Sequence, residues 1–475
     1  MDGCHYIAGK WTNGTGDRVL KVVNPATGET VRDLLAASSA DIDAALAAGA
    51  RGFQEWRRVN PLERSAILRK AAELQRARAE PIAQAITREQ GKTIAEARVE
   101  ASRSAEHIEW NAEEGRRAYG RVIPSRIDGV HQFTRLEPVG CVAAFSPWNF
   151  PVGQLVRKIA SALAAGCSII VKAPEETPTG PIELVRCFAD AGVPAGAINL
   201  VFGDPPAISR QLLASSAIKK VTFTGSVAVG RLLNEMAARS FKHTTMELGG
   251  HAPFIVCDDT DIDLAVRLGL QHKFRNAGQV CASPTRFLVQ DSVYAQFLEA
   301  FAAGAAAIKV GDGTLATSQM GALAQPRRVE FVDALIRDAV AQGARLVGGG
   351  TRIGNAGCFY APTVLADVPV TARIMNEEPF GPVAIINRFA KLDDAIAEAN
   401  RLDFGLTSYG FTRSLAAAQR LGQEIEAGMV SLNHLGLGAA ETPFGGVKDS
   451  GIGSEGGVEG LQPYFTTKFV TQIAA

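Results

Sequence analysis

The sequence has no surplus charge of either sign: 49 Lys and Arg stand against 49 Asp and Glu in 475 residues, a formal net charge of 0. It holds no Lys/Arg block, so it lacks the electrostatic footprint of a protein that grips a nucleic-acid backbone or an anionic membrane surface. A small molecule is the expected ligand. Long apolar runs are also missing. The longest, 159–171, stops at Lys172 after 13 residues and is interrupted by Ser161, Gly166 and Ser168, whereas a helix needs about 20 residues to span a bilayer. The N-terminal stretch to Lys10 carries Asp2 and has neither a basic nor a continuous apolar segment, so no signal peptide is expected. Cysteine is sparse. The seven, Cys4, Cys141, Cys167, Cys187, Cys257, Cys281 and Cys358, are odd in number, scattered and without a CxxC pair. That excludes a disulfide framework and a structural zinc site, leaves no metal site expected, and fits a reducing cytoplasm.

What is present reads as a large globular protein: 47% apolar and 21% charged residues over 475 positions, about three times a ~150-residue domain. Turn signals at Gly9, Gly14, Gly16 and Asn24-Pro25 separate short apolar pieces, predicting hairpin strands at the start. From Asp41 to about Tyr119 the chain is rich in Ala, Glu and Arg, and Ile67, Ala71 and Leu74 share one helix face, predicting long surface helices. The 121–137 stretch is short, Pro/Gly-punctuated and β-branched, an extended arm. Apolar strand-like runs then alternate with helical stretches: Val142 to Phe145, a helix from Pro151 to Ala165 closed by Gly166, Ser168 to Val171, Ala197 to Phe202, Val221 to Phe223 and Ala252 to Val256. Buried strands separated by helices predict right-handed crossovers and a parallel sheet covered on both faces. Helical segments at Leu264 to Phe274, Tyr294 to Ile308 and Pro326 to Gln342 predict a second α/β lobe, with the boundary near Leu248-Gly249-Gly250, and Tyr464 to Ile473 reads as a strand.

Several loop residues carry chemistry. Cys281 sits in the polar, Gly-containing segment from Arg275 to Pro284, where a thiol is reachable, although cysteine also serves as a small buried hydrophobe. Glu247 lies between the strand-end Met246 and Leu248-Gly249-Gly250, where the glycines let the backbone turn beside a ligand; a carboxylate there suits a base, while most glutamates are solvated. Asn149, in Ser146-Pro147-Trp148-Asn149-Phe150-Pro151, either aims its amide at a developing oxyanion or serves as a turn or N-cap residue. Phe150 and Trp148 line a pocket or simply pack. Thr224-Gly225-Ser226 ends one strand and opens a helix, a turn that suits phosphate, although with Gly230 it matches neither GxGxxG nor a Walker loop. Lys172 and Glu175 follow another strand end, where they contact a nucleotide ribose or are ordinary loop charges.

In this order, Asn149, Lys172, Phe223 to Ser226, Glu247 to Gly250, Cys281 and Glu377-Glu378-Pro379-Phe380-Gly381-Pro382 resemble the aldehyde dehydrogenase superfamily along essentially the whole chain, including the 34-position separation of Glu247 from Cys281. The resemblance implies two doubly wound α/β lobes and a β oligomerisation arm. A cofactor domain would span 1–120 and 138–247, a catalytic domain 248–440, and the arm 121–137 with 460–475. It implies Cys281 as nucleophile, Asn149 with the Cys281 backbone N–H as oxyanion hole, Glu247 as base for hydrolysis, and Lys158 with Glu455 as a proton-relay pair. Ser146, Pro147, Trp148, Lys172, Glu175, Gly225, Ser226, Leu248, Glu378 and Phe380 would hold NAD(P). NAD is expected to be preferred, because Glu175 would repel a 2′-phosphate, with NADP possible and Lys172 partly offsetting the repulsion. A homodimer or homotetramer is implied.

Lys172 to Pro178, Glu247 to Pro253 and Phe274 to Phe287 look most like bacterial 2-oxoglutarate semialdehyde dehydrogenases, with succinate-semialdehyde dehydrogenases second. Arg157 and Arg275 match positions that hold a substrate carboxylate in the succinate branch, as a guanidinium can, or else serve as structural salt-bridge partners; Phe150 joins them at the substrate. Ala439 stands where that branch usually has a carboxylate-binding serine, and Ser283 where a redox-sensitive form has a second cysteine. The expected function is NAD(P)-dependent oxidation of an acidic semialdehyde, best matched by 2-oxoglutarate semialdehyde, to a free acid. A non-catalytic homologue and a thiol esterase are the alternatives of other classes.

Overall fold

The computed structural model describes residues 3–473. Four helices, Ser39–Trp56, Pro61–Ala77, Ala79–Gln90 and Ile94–Glu114, fill the stretch expected to be helical. Local chemistry starts them. Ser38 and Asp41, and Thr93 and Glu96, form reciprocal capping boxes, and Asn60 caps a helix with Pro61 in its first turn. The buried face of Pro61–Ala77 is Leu68, Ala71, Ala72 and Gln75, so the expected line is turned by about one residue and Ile67 and Leu74 lie half-buried at its edge.

The first large sheet has eight strands in the order Lys10–Thr12, His5–Ile7, Ile198–Val201, Ser168–Lys172, Cys141–Phe145, Ile218–Thr224, His243–Glu247 and Gly451–Ile452. The central pairings are parallel, and the outer ones antiparallel. Strands Cys141–Phe145 and Ser168–Lys172 are buried along their whole length, as their unbroken apolar runs require when helices cover both faces. The second sheet runs Arg345–Gly348, Thr363–Ala366, Val383–Phe389, Pro284–Gln290, Ala252–Val256, Thr407–Phe411 and Met429–Leu432, parallel except at its first pair. The expected two-lobe α/β architecture is therefore present. The chain leaves the first sheet at Glu247 and joins the second at Ala252. It then returns, since Gly451–Ile452 pairs with His243–Glu247. A third sheet joins Phe465–Ile473 to Val130–Pro138 over nine residue pairs, with Arg121–Ile123 beyond.

One expected boundary is wrong. The helix read as opening at Pro151 begins at Gly153, and Pro151-Val152 is a turn. The reason lies far away in sequence: Glu100 Oε1 accepts the backbone N–H of Val152 at 3.0 Å and of Gly153 at 3.1 Å, capping a helix that has no side-chain cap of its own. Its other end is as expected, with Gly166 left-handed at φ 92°. No helix among the described residues is long and apolar enough to cross a membrane.

Candidate active site

Cys281 is presented by a strained loop. After helix Ile262–Phe274 the chain takes three left-handed residues in succession, Asn276 (φ 49°), Ala277 (φ 51°) and Gly278 (φ 73°). A Cβ on Gly278 would lie 2.0 Å from the Gly381 carbonyl oxygen, so only glycine fits there. The two left-handed non-glycine residues cost on the order of 1–3 kcal/mol each, strain of the kind that gathers at functional loops. Strand Pro284–Gln290 anchors the far side of the loop. Of the seven cysteines, all free, Cys281 alone is half-buried and the others are buried. Ser283 is buried, its hydroxyl 3.4 Å from the Pro284 carbonyl.

The first lobe brings Asn149 to the Cys281 loop and the Glu247 charge to the thiol, with Lys158 near Glu247. Asn149 is buried. Its Nδ2 donates to the Gln279 carbonyl at 3.0 Å, while its own carbonyl accepts from Asn276 Nδ2 at 3.1 Å and from Lys92 Nζ at 2.7 Å. Because the Gln279 carbonyl only accepts, the amide nitrogen must face the Cys281 loop. Asn149 is thus tied to that loop and is no N-cap. Glu247 ends strand His243–Glu247 with both carboxylate oxygens buried and without a hydrogen-bond partner. Burial first, and then the Glu455 charge, raise its pKa well above the usual carboxylate range, against Lys158 and Arg157, which lower it. Lys158, fully buried on helix Gly153–Ala165, donates to Glu455, to Thr224 Oγ1 at 2.7 Å and to Thr222 Oγ1 at 3.3 Å.

The cysteine opens into a cavity of about 140 Å³ shared by Phe150, Arg157, Arg275 and Phe444. Arg157 lies 4.8 Å from the Phe444 ring centroid and Arg275 5.1 Å from that of Phe150. Arg157 Nη2 donates to the Gly438 carbonyl at 3.0 Å, and its Nη1 is buried without a partner. Neither arginine makes a salt bridge among the described residues. Ala439 is exposed and does not line the cavity, while its neighbours Leu437 and Gly438 do. Burial, followed by the Glu378 and Glu247 charges, pushes the Cys281 thiol up to about 12.

Most of the expected cofactor residues gather at the ends of strands of the first sheet. Ser226 caps helix Val227–Ala238, and a Cβ on Gly225 would meet the Phe223 ring at 2.4 Å. Leu248 packs against Gly230, where a Cβ would come within 2.4 Å of Leu248 Cδ2. Lys172 Nζ donates to Glu175 Oε2 at 2.7 Å, and Glu175 Oε1 accepts the Gly203 N–H at 3.1 Å. Trp148 and Phe380 meet edge to face at 5.7 Å, beside Ser146, whose hydroxyl is buried without a partner; Pro147 sits between Ser146 and Trp148. Glu378 packs on Gly249, accepts the Gly250 N–H at 3.2 Å, and is pushed up to about 7 by burial. Arg328 braces its loop through the Pro379 and Phe380 carbonyls.

Sequence reading missed one wall. On helix Ile94–Glu114 the buried residues include Glu100, Ser104, His107 and Asn111, spaced four, three and four apart, and the first three line the cavity. A polar stripe at helical spacing on an otherwise alanine-rich face was the available signal. Lys92, fully buried and bonded to Glu100, was missed with it.

Residues 11–470 match the model of the aldehyde dehydrogenase family. The chain is 48% identical over 468 residues to a 4-(hydroxymethyl)benzenesulfonate dehydrogenase of Comamonas testosteroni, covering 98% of each. It is 39% identical to a 3-sulfolactaldehyde dehydrogenase of Pseudomonas putida over 98% of this chain and 96% of that one. A succinate-semialdehyde dehydrogenase structure from Burkholderia pseudomallei superposes with a TM-score of 0.97 at 39% identity, covering 99% of this chain and 98% of that one. A thiol, an amide and an unpartnered carboxylate thus converge within a two-lobed fold that these proteins share along its length, and the chain belongs to the aldehyde dehydrogenase family.

Proposed function

We propose that this aldehyde dehydrogenase oxidises a small aldehyde with a distal anionic group to the free acid, with Cys281 as nucleophile. The observation that carries the substrate class is the pairing of Arg157 and Arg275, neither in a salt bridge among the described residues, on the cavity that Cys281 opens into. An anion there would complete the unpartnered Arg157 Nη1.

The Cys281 thiol gives its proton to Glu247, and addition of the thiolate sulfur to the carbonyl carbon creates an oxyanion, to which Asn149 Nδ2 and the Cys281 backbone N–H donate. The residues present fit a nicotinamide dinucleotide: the unpartnered Ser146 hydroxyl, the capped helix start at Ser226 and the buried Glu378 are suited to hold one. Bound there, it supplies the two-electron acceptor. The resulting acyl group is held on Cys281 as a thioester. Glu247, with both oxygens free, takes a proton from water, whose oxygen displaces the sulfur and releases the acid. Glu455 and Lys158 pass each of these protons onward. We infer that NAD is preferred over NADP, because the Lys172 ammonium is already committed to Glu175 and leaves that point without a free cation for a 2′-phosphate.

The class includes 2-oxoglutarate semialdehyde and succinate semialdehyde. A second member, an arenesulfonate aldehyde, is favoured by the two phenyl rings of Phe150 and Phe444 beside the arginines and by the relative named for 4-(hydroxymethyl)benzenesulfonate. The exposed Val122, Phe469 and Ile473 on the three-stranded sheet support a homodimer or homotetramer, and the free, mostly buried thiols support a reducing compartment such as the cytoplasm.

Steady-state kinetics on these three aldehydes and an uncharged one, with NAD and NADP, test the reading. Arg157→Ala or Arg275→Ala should cost ~2–5 kcal/mol with an anionic aldehyde, a loss of at least roughly 30-fold in kcat/KM, and leave the uncharged aldehyde nearly unaffected. Equal loss with both kinds of substrate would show the arginines to be structural and the anionic class mistaken.

A further inference from the structure

We infer that the buried Lys92–Glu100 pair is a positioning device for the oxyanion donor, setting where the Asn149 amide stands relative to Cys281. The inference rests on the proposed role of Asn149.

The geometry is a clamp on both ends of one turn. Lys92 Nζ donates to the Asn149 carbonyl at 2.7 Å and to Glu100 Oε2 at 2.6 Å. The other oxygen of the same carboxylate accepts the N–H groups of Val152 and Gly153. The five residues from Asn149 to Gly153 therefore begin on the ammonium and end on the carboxylate of a single ion pair. Between them Phe150 lies under the same ammonium, 3.9 Å from its ring centroid to Lys92 Nζ. The pair is closed to water, with side-chain exposures of 0% and 2%, so nothing but the turn competes for its hydrogen bonds.

This pair is poorly explained as a stabiliser. Burying two charges carries a desolvation penalty that their attraction often fails to offset, and neutral residues of similar volume commonly serve the fold as well. A fixed pair is useful where direction matters. A misplacement of about 1 Å can cost an oriented catalytic group ~10²-fold, and the helix start next to Asn149 has no side-chain cap of its own, Asn276 Nδ2 being the other side chain on the Asn149 carbonyl. The Asn149 amide has one hydrogen on the Gln279 carbonyl, so tilting the turn would draw its second hydrogen away from the developing oxyanion. Lys92 touches neither the cavity nor the thiol, and its effect must pass through Asn149.

Two chemistries of the same thiol separate positioning from general damage. Hydrolysis of p-nitrophenyl acetate passes through a tetrahedral oxyanion, whereas alkylation by iodoacetamide does not. Lys92→Met should lower kcat for aldehyde oxidation and for ester hydrolysis by at least about tenfold, part of the 10²–10³ expected on losing the donor. KM and the Cys281 alkylation rate should stay near wild type. In the Asn149→Ala background Lys92→Met should cost nothing further, because the donor it aims is gone. Lys92→Arg should recover part of the rate. Should Lys92→Met fold poorly, Lys92→Met with Glu100→Gln replaces the pair by neutral side chains of like size and should show the same selective loss.

Multiplicative losses with Asn149→Ala, or parallel loss of alkylation, would overturn the positioning role while leaving Asn149 as the donor. Wild-type rates in Asn149→Ala itself would overturn the donor assignment, and the role of Lys92 with it.

Discussion

Glu100 and Glu247 are both buried, Glu100 on the wall of the cavity that Cys281 opens into and Glu247 close enough for its charge to raise the thiol, and they differ in their partners. Glu100 has a lysine and two backbone N–H groups on its oxygens, while Glu247 has nothing on either. A buried carboxylate with all its partners is fixed in place and in charge. One without partners holds its proton more tightly than an exposed carboxylate, at a standing cost in stability. Partner count, more than burial, separates these two carboxylates.

The largest expected effect falls on the Cys281 thiol. Cys281→Ala should abolish NAD(P)H formation while cofactor binding, followed by fluorescence titration, persists. Turnover near wild type would remove the thiol from the reaction.

The carboxylates themselves should then part company. Glu247→Gln should leave a rapid NAD(P)H burst and slow the steady state by about 10²–10⁴-fold, the range of a lost general base. It should not lower Tm. Burial raises the native Glu247 above its unfolded value, so the folded protein holds this proton more tightly, a contribution to stability present at low pH and lost as pH rises through the folded value. The substitution removes that slope. Glu100→Gln should do the reverse, costing about 3–5 kcal/mol in denaturant unfolding by stranding the Lys92 charge. Equal Tm losses in the two variants would erase the distinction.

The smallest effect is electrostatic. Cys281 is held up to about 12 by burial and by the charges of Glu378 and Glu247. Iodoacetamide alkylation without cofactor should therefore accelerate with pH throughout the neutral and mildly alkaline range, and Glu378→Gln should move that profile to lower pH. An unmoved profile would mean that the Glu378 charge does not reach the thiol.

The same division explains what the sequence disclosed. Cys281, Glu247 and Asn149 could be singled out because the segments that carry them, taken in order, resemble those of aldehyde dehydrogenases; taken singly, each also had an ordinary structural reading. The strand and helix alternation was legible from apolar runs that require burial, as in Cys141–Phe145. Lys92 and Glu100 were hidden because their meaning lies in partners 57 and 52 positions away. The start of helix Gly153–Ala165 was misplaced for the same reason, since a proline suggests a first turn and nothing local reveals a cap supplied by another helix. Gly451–Ile452, two residues long, carries too little pattern to signal its return to the first sheet.

That return has a consequence in time. Glu455, the counter-ion of Lys158, is 297 residues further along the chain, and the edge strand next to Glu247 is completed by Gly451–Ile452. On the ribosome, the first lobe can assemble its central parallel strands long before this segment emerges. Until then Lys158 has no counter-charge and the strand bearing Glu247 has an open edge. The carboxylate proposed to discharge the thiol is thus made before the thiol itself, and its surroundings are completed last, when the returning segment closes its strand edge and brings Glu455 to Lys158.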